Sequence, residues 1–238
     1  MTPKLHSAIE EHYSLLNESQ REAVARTDGP LLIIAGPGSG KTLVLVVRTL
    51  NILLQAKAEP EEIVLCTFTE KAAFELRDRV AQSARTLGYT GDLSQLQVGT
   101  IHSICNKHLS RFRHHTELGA GYEVLDDLTQ SLFLFENFEE IIDDLDAGGK
   151  YLGKWSTRWT AIRGLTEFFN KITEELVDPE ALVAGGSSFL KQLGTAYQRY
   201  EKALWGRDRL DFAHQQKVFY DLLHNPEIGE QVQADFGY

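Results

Sequence analysis

Short apolar runs alternate with segments of helical spacing over the first half of the chain. Residues 31–35 (Leu-Leu-Ile-Ile-Ala) form a continuous apolar run that ends at a glycine-rich turn, which is typical of a buried strand in a parallel sheet. Residues 42–55 are apolar nearly all round, as expected for a helix packed onto a sheet. The same order repeats, with strands predicted at 63–68 and 96–100 and helices at 70–87 and 101–112. This alternation predicts a parallel α/β sheet with ligands at the carboxyl ends of its strands.

The pattern changes after Arg113. Apolar positions recur at helical spacing over residues 128–145, and further helices are predicted at 157–176 and 188–204. Pro179 and the pair Gly185-Gly186 separate the last two. Because no strand alternates with these helices, we predict an all-helical subdomain inserted into an α/β domain. The predicted division is 1–113 for the first part of the α/β domain, 114–205 for the inserted subdomain and 206–238 for the return to the α/β domain.

Composition narrows the class of protein. The chain has 238 residues, with 34 Asp and Glu against 24 Lys and Arg, enough for one large domain or two small ones. The two cysteines, Cys66 and Cys105, lack the spacing of a metal site, so a reducing cytoplasm is the expected location. No apolar run approaches the roughly 18 to 20 residues that span a bilayer, and residues 1–10 are charged, so we expect a soluble protein with no membrane partner.

Charge is distributed unevenly. The formal net charge of −10 argues against a uniformly basic nucleic-acid-binding surface, so any such contact requires a local patch. From Thr67 to His115, basic residues outnumber acidic ones by seven to four. Residues 114–149 contain no Lys or Arg, and the predicted helix there has an acidic outer face. The acidic residues of residues 114–149 are Glu117, Glu123, Asp126, Asp127, Glu136, Glu139, Glu140, Asp143, Asp144 and Asp146.

A glycine-rich loop joins the first predicted strand to the first predicted helix. Its residues are Ala35, Gly36, Pro37, Gly38, Ser39, Gly40, Lys41 and Thr42. The glycines let backbone N–H groups surround a polyphosphate at a helix N-terminus. We expect Lys41 to reach the terminal phosphates and the Thr42 hydroxyl to help hold Mg²⁺. Ala35 stands where the strict pattern has glycine, and the alternative is a strand-to-helix turn that binds nothing.

Gln20 has two interpretations. Asn17 is a candidate N-cap, and Gln20, three residues later, is its partner in a capping box. A glutamine amide also carries a donor and an acceptor, so Gln20 is equally suited to pair with the adenine edge of a bound nucleotide. Spacing alone leaves both interpretations open.

Taken together, five segments occur in an order that resembles the superfamily 1 DNA helicases similar to UvrD, Rep and PcrA. They are Leu-Asn-Glu-Ser-Gln (16–20), the loop at 35–42, Thr-Phe-Thr-Glu-Lys-Ala-Ala (67–73), Thr-Ile-His-Ser (100–103) and Leu-Asp-Phe (210–212). The resemblance covers residues 16–103 well and the region around 210 weakly. It implies a RecA-like P-loop fold that uses ATP and Mg²⁺, with Lys41 and Thr42 as catalytic residues and Gln20 reading adenine.

The resemblance also implies contacts with single-stranded DNA. Thr67, Phe68, Thr69 and Lys71 match the first DNA-binding segment, in which a base stacks on Phe68. The alternative is that Phe68 is the last core residue of a strand and Lys71 a solvated residue. The usual family residue at position 70 is Asn; Glu70 either repels a phosphate or caps its helix.

Thr100 and His102 match the next DNA-contacting segment. Taken alone, His102 is more typical of a structural histidine than of a catalytic one. Leu43 is a second departure, since many relatives carry Arg after the Lys-Thr pair, and a nucleotide contact by that arginine is then missing.

In the family, a strand ending in Asp-Glu follows the Leu-Asp-Phe segment, and the chain reaches Tyr238 about where that strand is expected. We therefore expect the amino-terminal part of a longer helicase, which binds ATP but hydrolyses it poorly alone. The whole protein is expected to couple ATP hydrolysis to 3′ to 5′ translocation on single-stranded DNA and to duplex unwinding in repair or replication. Expected partners are single-stranded DNA, its junction with duplex, and a second RecA-like domain of the same chain.

The inserted subdomain corresponds by position to the family's 1B subdomain, which leans on duplex DNA. Its acidic first half disfavours a broad phosphate-binding face, which leaves one basic strip for contact: Lys150, Lys154, Arg158 and Arg163. Trp155 and Trp159 are predicted to be core anchors rather than base stackers. The alternative function is a non-hydrolysing module that binds ATP or DNA, or docks a partner through the acidic helix. A P-loop kinase or GTPase is disfavoured by the flanking segments.

Overall fold

The computed structural model describes residues 4–142 and 151–238. These residues pack as two compact units, one formed by the chain up to Ile104 with Glu230–Tyr238, and the other by Cys105–Gly229. Each unit has its own cluster of buried apolar side chains. None of the helices in the described ranges is long and apolar enough to cross a membrane.

The first unit combines helices with a pair of parallel strands. Its elements are α1 (Ser7–His12), α2 (Glu18–Ala25), α3 (Lys41–Leu54), β1 (Val64–Thr67), α4 (Glu70–Thr86), β2 (Gln97–Thr100) and the start of α5 (Ile101–Arg111). The apolar side chains of α3 occupy the middle of its core, as the all-round apolar pattern predicts. The predicted strands at 63–68 and 96–100 and helices at 42–55, 70–87 and 101–112 are confirmed within a few residues.

Strands β1 and β2 are parallel and in register, with Thr67 opposite Thr100. Helix α4 makes the crossover between them, and its Arg77 side chain donates to the Val98 carbonyl oxygen at 2.7 Å. The carboxyl ends of both strands therefore lie side by side, at one edge of the sheet.

The buried strand predicted at residues 31–35 is not formed. In the described part of the chain no strand pairs with this run, and Leu32 and Ile34 are 84% and 91% exposed. One edge of β1 pairs with β2, while on its other edge the Val64 N–H donates to the Tyr238 carbonyl oxygen at 2.9 Å. An apolar run becomes a buried strand only when neighbours satisfy its backbone and cover its side chains, and here neither condition is met.

The second unit is mostly helical. Its elements are β3 (Glu123–Leu125), α6 (Asp127–Glu136), α7 (Phe138–Ile142), α8 (Arg158–Glu174), α9 (Pro179–Ala184), α10 (Ser188–Trp205), β4 (Arg209–Asp211) and α11 (Phe212–Leu223). Helix α12 (Pro226–Ala234) begins in the residues of this unit and ends in those of the first. The helices predicted at 157–176 and 188–204 are confirmed.

Two details differ from the predicted all-helical segment. Strand β3 lies within it and pairs in parallel with β4. The sequence did not predict β3, because three residues are too few to show an alternating pattern. The helix predicted at 128–145 breaks at Asn137, whose side-chain amide donates to the Phe133 carbonyl oxygen at 2.8 Å and ends α6. The remainder of that prediction, with Asp143, Asp144 and Asp146, lies outside the described residues.

A buried carboxylate organises the second unit. Asp211 ends β4 and caps α11 by accepting the His214 N–H at 2.8 Å. Its other oxygen accepts from the Tyr200 hydroxyl at 2.7 Å and from the Gln130 amide at 3.0 Å. Side chains from α6, α10 and α11 thus meet at a single charge, and every one of these groups is hydrogen-bonded.

The imidazole of His214 completes this network. Its Nδ1 lies 2.9 Å from Asp211, and its Nε2 lies 3.7 Å from Glu201. Burial by itself lowers the pKa of His214, but the Asp211 and Glu201 carboxylates outweigh it and raise the pKa to about 9. The imidazole is therefore charged at neutral pH and forms a buried ion pair.

Candidate functional site

The glycine-rich loop leads directly into α3. Gly38 and Gly40 have φ angles of 73° and 84°, in the left-handed region that other residues rarely adopt. A Cβ on Gly40 would lie 2.9 Å from the Gln20 amide nitrogen. No side chain caps α3 at Gly40, so the first backbone N–H groups of the helix face the loop without a capping side chain. The loop thus has the backbone form of an anion-binding turn at a helix N-terminus.

Lys41 lies across this loop. Its ammonium donates to the carbonyl oxygens of Ala35 at 2.9 Å and Gly36 at 2.7 Å. The Ser39 hydroxyl also donates to Gly36, at 2.7 Å. These acceptors are neutral and exposed, so an anion in the loop can replace them at Lys41 with charged oxygens, which are stronger acceptors. Thr42, the second residue of α3, is exposed, as a hydroxyl that meets a ligand must be.

Gln20 uses both ends of its amide. Its Oε1 accepts from the Asn17 N–H at 3.0 Å while Asn17 accepts from the Gln20 N–H at 2.9 Å, which confirms the capping box. Its Nε2 donates to the Ser39 carbonyl oxygen at 3.0 Å. The structure therefore brings Gln20 against the glycine-rich loop, and its contact with adenine stays a prediction.

Helix α2, which carries Gln20, is fixed to α3. The Arg48 guanidinium donates to the carbonyl oxygens of Ala23 at 2.8 Å and Thr27 at 3.3 Å, and burial lowers the pKa of this arginine. The buried Asn51 amide donates to the Val24 carbonyl oxygen at 3.1 Å. These contacts satisfy the last carbonyl groups of α2, so Gln20 and Lys41 are carried by helices that hold each other in place.

The predicted DNA-binding residues of β1 lie at its carboxyl end. Phe68 is 95% exposed, so the alternative that it is a core residue is wrong. Thr69 caps α4 by accepting the Ala72 N–H at 3.1 Å, and the Thr67 hydroxyl donates to the Thr69 carbonyl oxygen at 3.0 Å. Lys71 is exposed on the first turn of α4. An aromatic ring and an ammonium therefore face solvent on a segment whose backbone is fixed by two threonines.

Thr100 lies at the neighbouring strand end but is buried. Its hydroxyl donates to the Glu70 carboxylate at 2.9 Å and accepts the Ser103 N–H at 3.1 Å. Glu70 thereby links the two strand ends, a role that neither sequence-based interpretation of this departure included. His102 is half-buried in the first turn of α5. The DNA contacts of Thr100 and His102 stay predictions.

Sequence reasoning missed one exposed aromatic residue in this region. Phe74 is exposed on α4, one turn after Glu70. The buried side of α4 is formed by Ala73, Leu76 and Val80, and Phe74 falls outside that face. A helical projection of the sequence would have found it, because Phe74 is out of phase with the buried positions.

Two of the four residues of the basic strip predicted in the second unit, Lys154 and Arg158, lie over aromatic rings of that unit. The Lys154 ammonium lies over the rings of Trp155, Phe168 and Phe189, at 5.5, 4.7 and 5.1 Å from their centroids. Lys150 lies outside the described residues, and Arg163 is exposed. Lys154 is therefore held by aromatic rings of its own unit.

The two tryptophans differ. Trp155 is partly buried and packs against the second core cluster, as predicted for a core anchor. Trp159 is exposed, and its ring stacks on that of Phe135. The prediction of a core anchor is therefore wrong for Trp159. Trp155 precedes α8 and Trp159 lies within it, so a spacing of four residues does not put both rings on one helix face.

Comparison with known proteins adds an independent finding. The sequence profile of the family described as UvrD/REP helicase N-terminal domain matches residues 16–238. The chain is 32% identical over 211 residues to the ATP-dependent DNA helicase SRS2 of Saccharomyces cerevisiae, a match that covers 84% of this chain and 18% of that protein. It is 31% identical over 226 residues to the ATP-dependent DNA helicase PcrA of Bacillus subtilis, covering 94% and 28% respectively.

A third relative is the ATP-dependent DNA helicase UvrD1 of Mycobacterium leprae, 33% identical over 202 residues that cover 83% of this chain and 24% of the relative. The chain thus spans between 18% and 28% of the length of these three proteins.

Proposed function

The chain belongs to the UvrD/REP helicase N-terminal domain family, and from this membership we propose that it binds ATP and single-stranded DNA as part of an ATP-dependent DNA helicase. The observation that carries the proposal is the glycine-rich loop at the start of α3, with Lys41 across it and Gln20 hydrogen-bonded to it. We assign residues 1–113 and 206–238 to a RecA-like domain and residues 114–205 to an inserted subdomain.

In the proposed nucleotide complex, Lys41 exchanges the Ala35 and Gly36 carbonyl oxygens for phosphate oxygens. The first N–H groups of α3 and the glycine backbone surround the remaining phosphate oxygens. Release of the Gln20 amide from Ser39 frees its Nε2 for the adenine edge, while the capping box keeps its Oε1. The hydrogen bonds that Lys41 and Gln20 donate to the loop are thus the ones that the nucleotide replaces.

The residues present also fit Mg²⁺. A single exposed hydroxyl, that of Thr42, follows the lysine, and Mg²⁺ is commonly held by few protein oxygens together with phosphate oxygens and water. The ion supplies positive charge to the β- and γ-phosphate oxygens when bound.

The proposed DNA surface is formed by Phe68, Thr69 and Lys71 at the end of β1. The exposed ring of Phe68 supports it, because every base offers a face for stacking. For the whole protein we propose 3′ to 5′ translocation on single-stranded DNA, action at its junction with duplex, and closure against a second RecA-like domain. Membership of the family supports this part of the proposal.

The test is binding of a fluorescent ATP analogue in the presence of Mg²⁺. Lys41→Ala is expected to weaken binding about tenfold or more, since it removes a charge from the phosphates. Lys191→Ala, an exposed lysine of α10, is the matched control and leaves binding unchanged. Absence of binding by the unaltered chain, or equal binding by the Lys41 variant, contradicts the proposal.

A further inference from the structure

Four large apolar side chains are exposed next to one another on α6 and α8. Leu128, Leu132, Phe135 and Trp159 are 69%, 44%, 36% and 51% exposed. The first three follow one another at intervals of four and three residues, so they share one face of α6. The Trp159 ring stacks on the Phe135 ring, with centroids 4.9 Å apart and planes 14° from parallel. We call these four side chains the α6–α8 strip.

The strip is not the core side of its helix. The opposite face of α6 is filled by Phe133 and Leu134, which are buried, and by Gln130 in the network around Asp211. A helix that is packed on one face normally presents polar residues on the other. Single exposed apolar residues are common, whereas a contiguous group of them marks an interaction surface.

The aromatic end of the strip is already ordered. The Arg158 guanidinium donates to the Phe135 carbonyl oxygen at 2.5 Å and lies over the rings of Phe135 and Phe138, at 4.5 and 4.7 Å from their centroids. Trp159 is the next residue on α8. Binding of a partner therefore costs little side-chain entropy in Phe135 and Trp159, which favours affinity.

Acidic side chains border the strip. Asp127 and Glu136 flank it on α6, and Glu139 follows on α7, all of them exposed. No Lys or Arg occurs from residue 114 to residue 149. Arg158 is committed to the aromatic rings, which leaves Arg163, one turn beyond Trp159, as the nearest exposed cation on α8. This rim attracts a cationic partner and repels phosphate groups.

We propose that the α6–α8 strip docks a basic amphipathic helix of a partner protein. The apolar side of that helix covers Leu128, Leu132, Phe135 and Trp159, and its Lys and Arg residues face the acidic rim. Helix-on-helix docking of this kind uses apolar anchors at intervals of three and four residues, which is the spacing present on α6. None of these four residues is among those proposed to bind ATP or single-stranded DNA.

The test uses the full chain and a labelled synthetic peptide of about 18 residues, which is about five helical turns, with Leu on one face and Lys on the other. Fluorescence anisotropy measures binding. Leu132→Asp and Trp159→Ala are each expected to weaken it about tenfold, while Leu190→Asp, an exposed leucine of α10, leaves it unchanged. Circular dichroism establishes that each variant is folded.

Two further measurements separate docking from nonspecific attraction. A peptide of the same composition in scrambled order is expected to bind at least about tenfold more weakly. The double change Glu136→Gln and Glu139→Gln alters two exposed charges, and it is expected to reduce both the affinity and its dependence on salt. Equal binding of the scrambled peptide, or binding that neither strip variant weakens, overturns the proposal. Binding of a thymidine oligonucleotide that Trp159→Ala abolishes, without binding of the peptide, also overturns it in favour of nucleic acid.

Discussion

Two polar clusters of this protein are built on opposite principles. At the glycine-rich loop, the exposed Lys41 and the half-buried Gln20 donate hydrogen bonds to backbone carbonyl groups of the loop itself. Around Asp211, the charged and polar side chains are buried and bonded to one another. A ligand can take over the first set of bonds at little cost, whereas loss of any bond in the second leaves a buried group without a partner. Whether partners can be exchanged thus separates a binding cluster from a structural one.

The largest expected effect is on the buried cluster. Asp211→Asn keeps the size of the side chain and removes its charge, leaving the His214 cation without its main partner. We expect a loss of about 3 to 5 kcal/mol in the free energy of unfolding, measured by urea denaturation. Asp221→Asn, in the exposed pair with Lys217, is the control and changes stability by less than about 1 kcal/mol. Similar small losses in both variants would break the comparison.

A pH titration tests the same cluster through His214. Its pKa is raised from an ordinary 6.5 to about 9, so the stability that its charge contributes is complete below pH 6.5 and is lost as the pH rises through 9. The loss across this window is up to about 3 kcal/mol. The Asp211 and Glu201 carboxylates stay ionised there, because their pKa values are lowered. His214→Gln is expected to flatten the profile, and an unchanged slope would exclude His214 as its source.

In the exposed region, Phe68→Ala is expected to weaken binding of a thymidine oligonucleotide about tenfold, because stacking contributes about 1 to 3 kcal/mol per base. Anisotropy of the labelled oligonucleotide measures it. Leu15→Ala removes an equally exposed apolar side chain from the same unit and serves as the control. If both changes weaken binding alike, stacking on Phe68 is not the cause.

The smallest effect separates the two roles of Gln20. Asn17→Ala and Gln20→Ala both remove the capping box and each costs about 1 kcal/mol of stability. Only Gln20→Ala also removes the bond to the Ser39 carbonyl oxygen, so only this variant is expected to change the affinity for the ATP analogue. Equal affinities would mean that Gln20 acts through the helix cap alone.

Local patterns were sufficient for much of the fold. The elements β1, α4, β2 and α5 each carry their apolar pattern in their own sequence, and α4 is preceded by its capping residue, Thr69. The loop at 35–42 is read from consecutive residues. The capping box of Asn17 and Gln20 is also a local pattern, since its two residues are three positions apart. In these cases the decisive contacts are short-range in sequence.

What depends on distant partners was not predicted. The exposure of residues 31–35 and of Trp159 is decided by which segments cover them, and the period of a sequence does not contain that information. The network around Asp211 joins Gln130, Tyr200 and His214, whose separation along the chain hides their proximity. The link between Glu70 and Thr100 was missed because it needs the register of two strands.

The exposed apolar run at residues 31–35 has a consequence for the behaviour of the protein in solution. An exposed apolar segment that pairs with no strand is a template for strand addition between molecules. We expect the chain to self-associate as its concentration increases. Threonine in place of Leu32 and Ile34 would remove exposed apolar surface and is expected to make that association weaker.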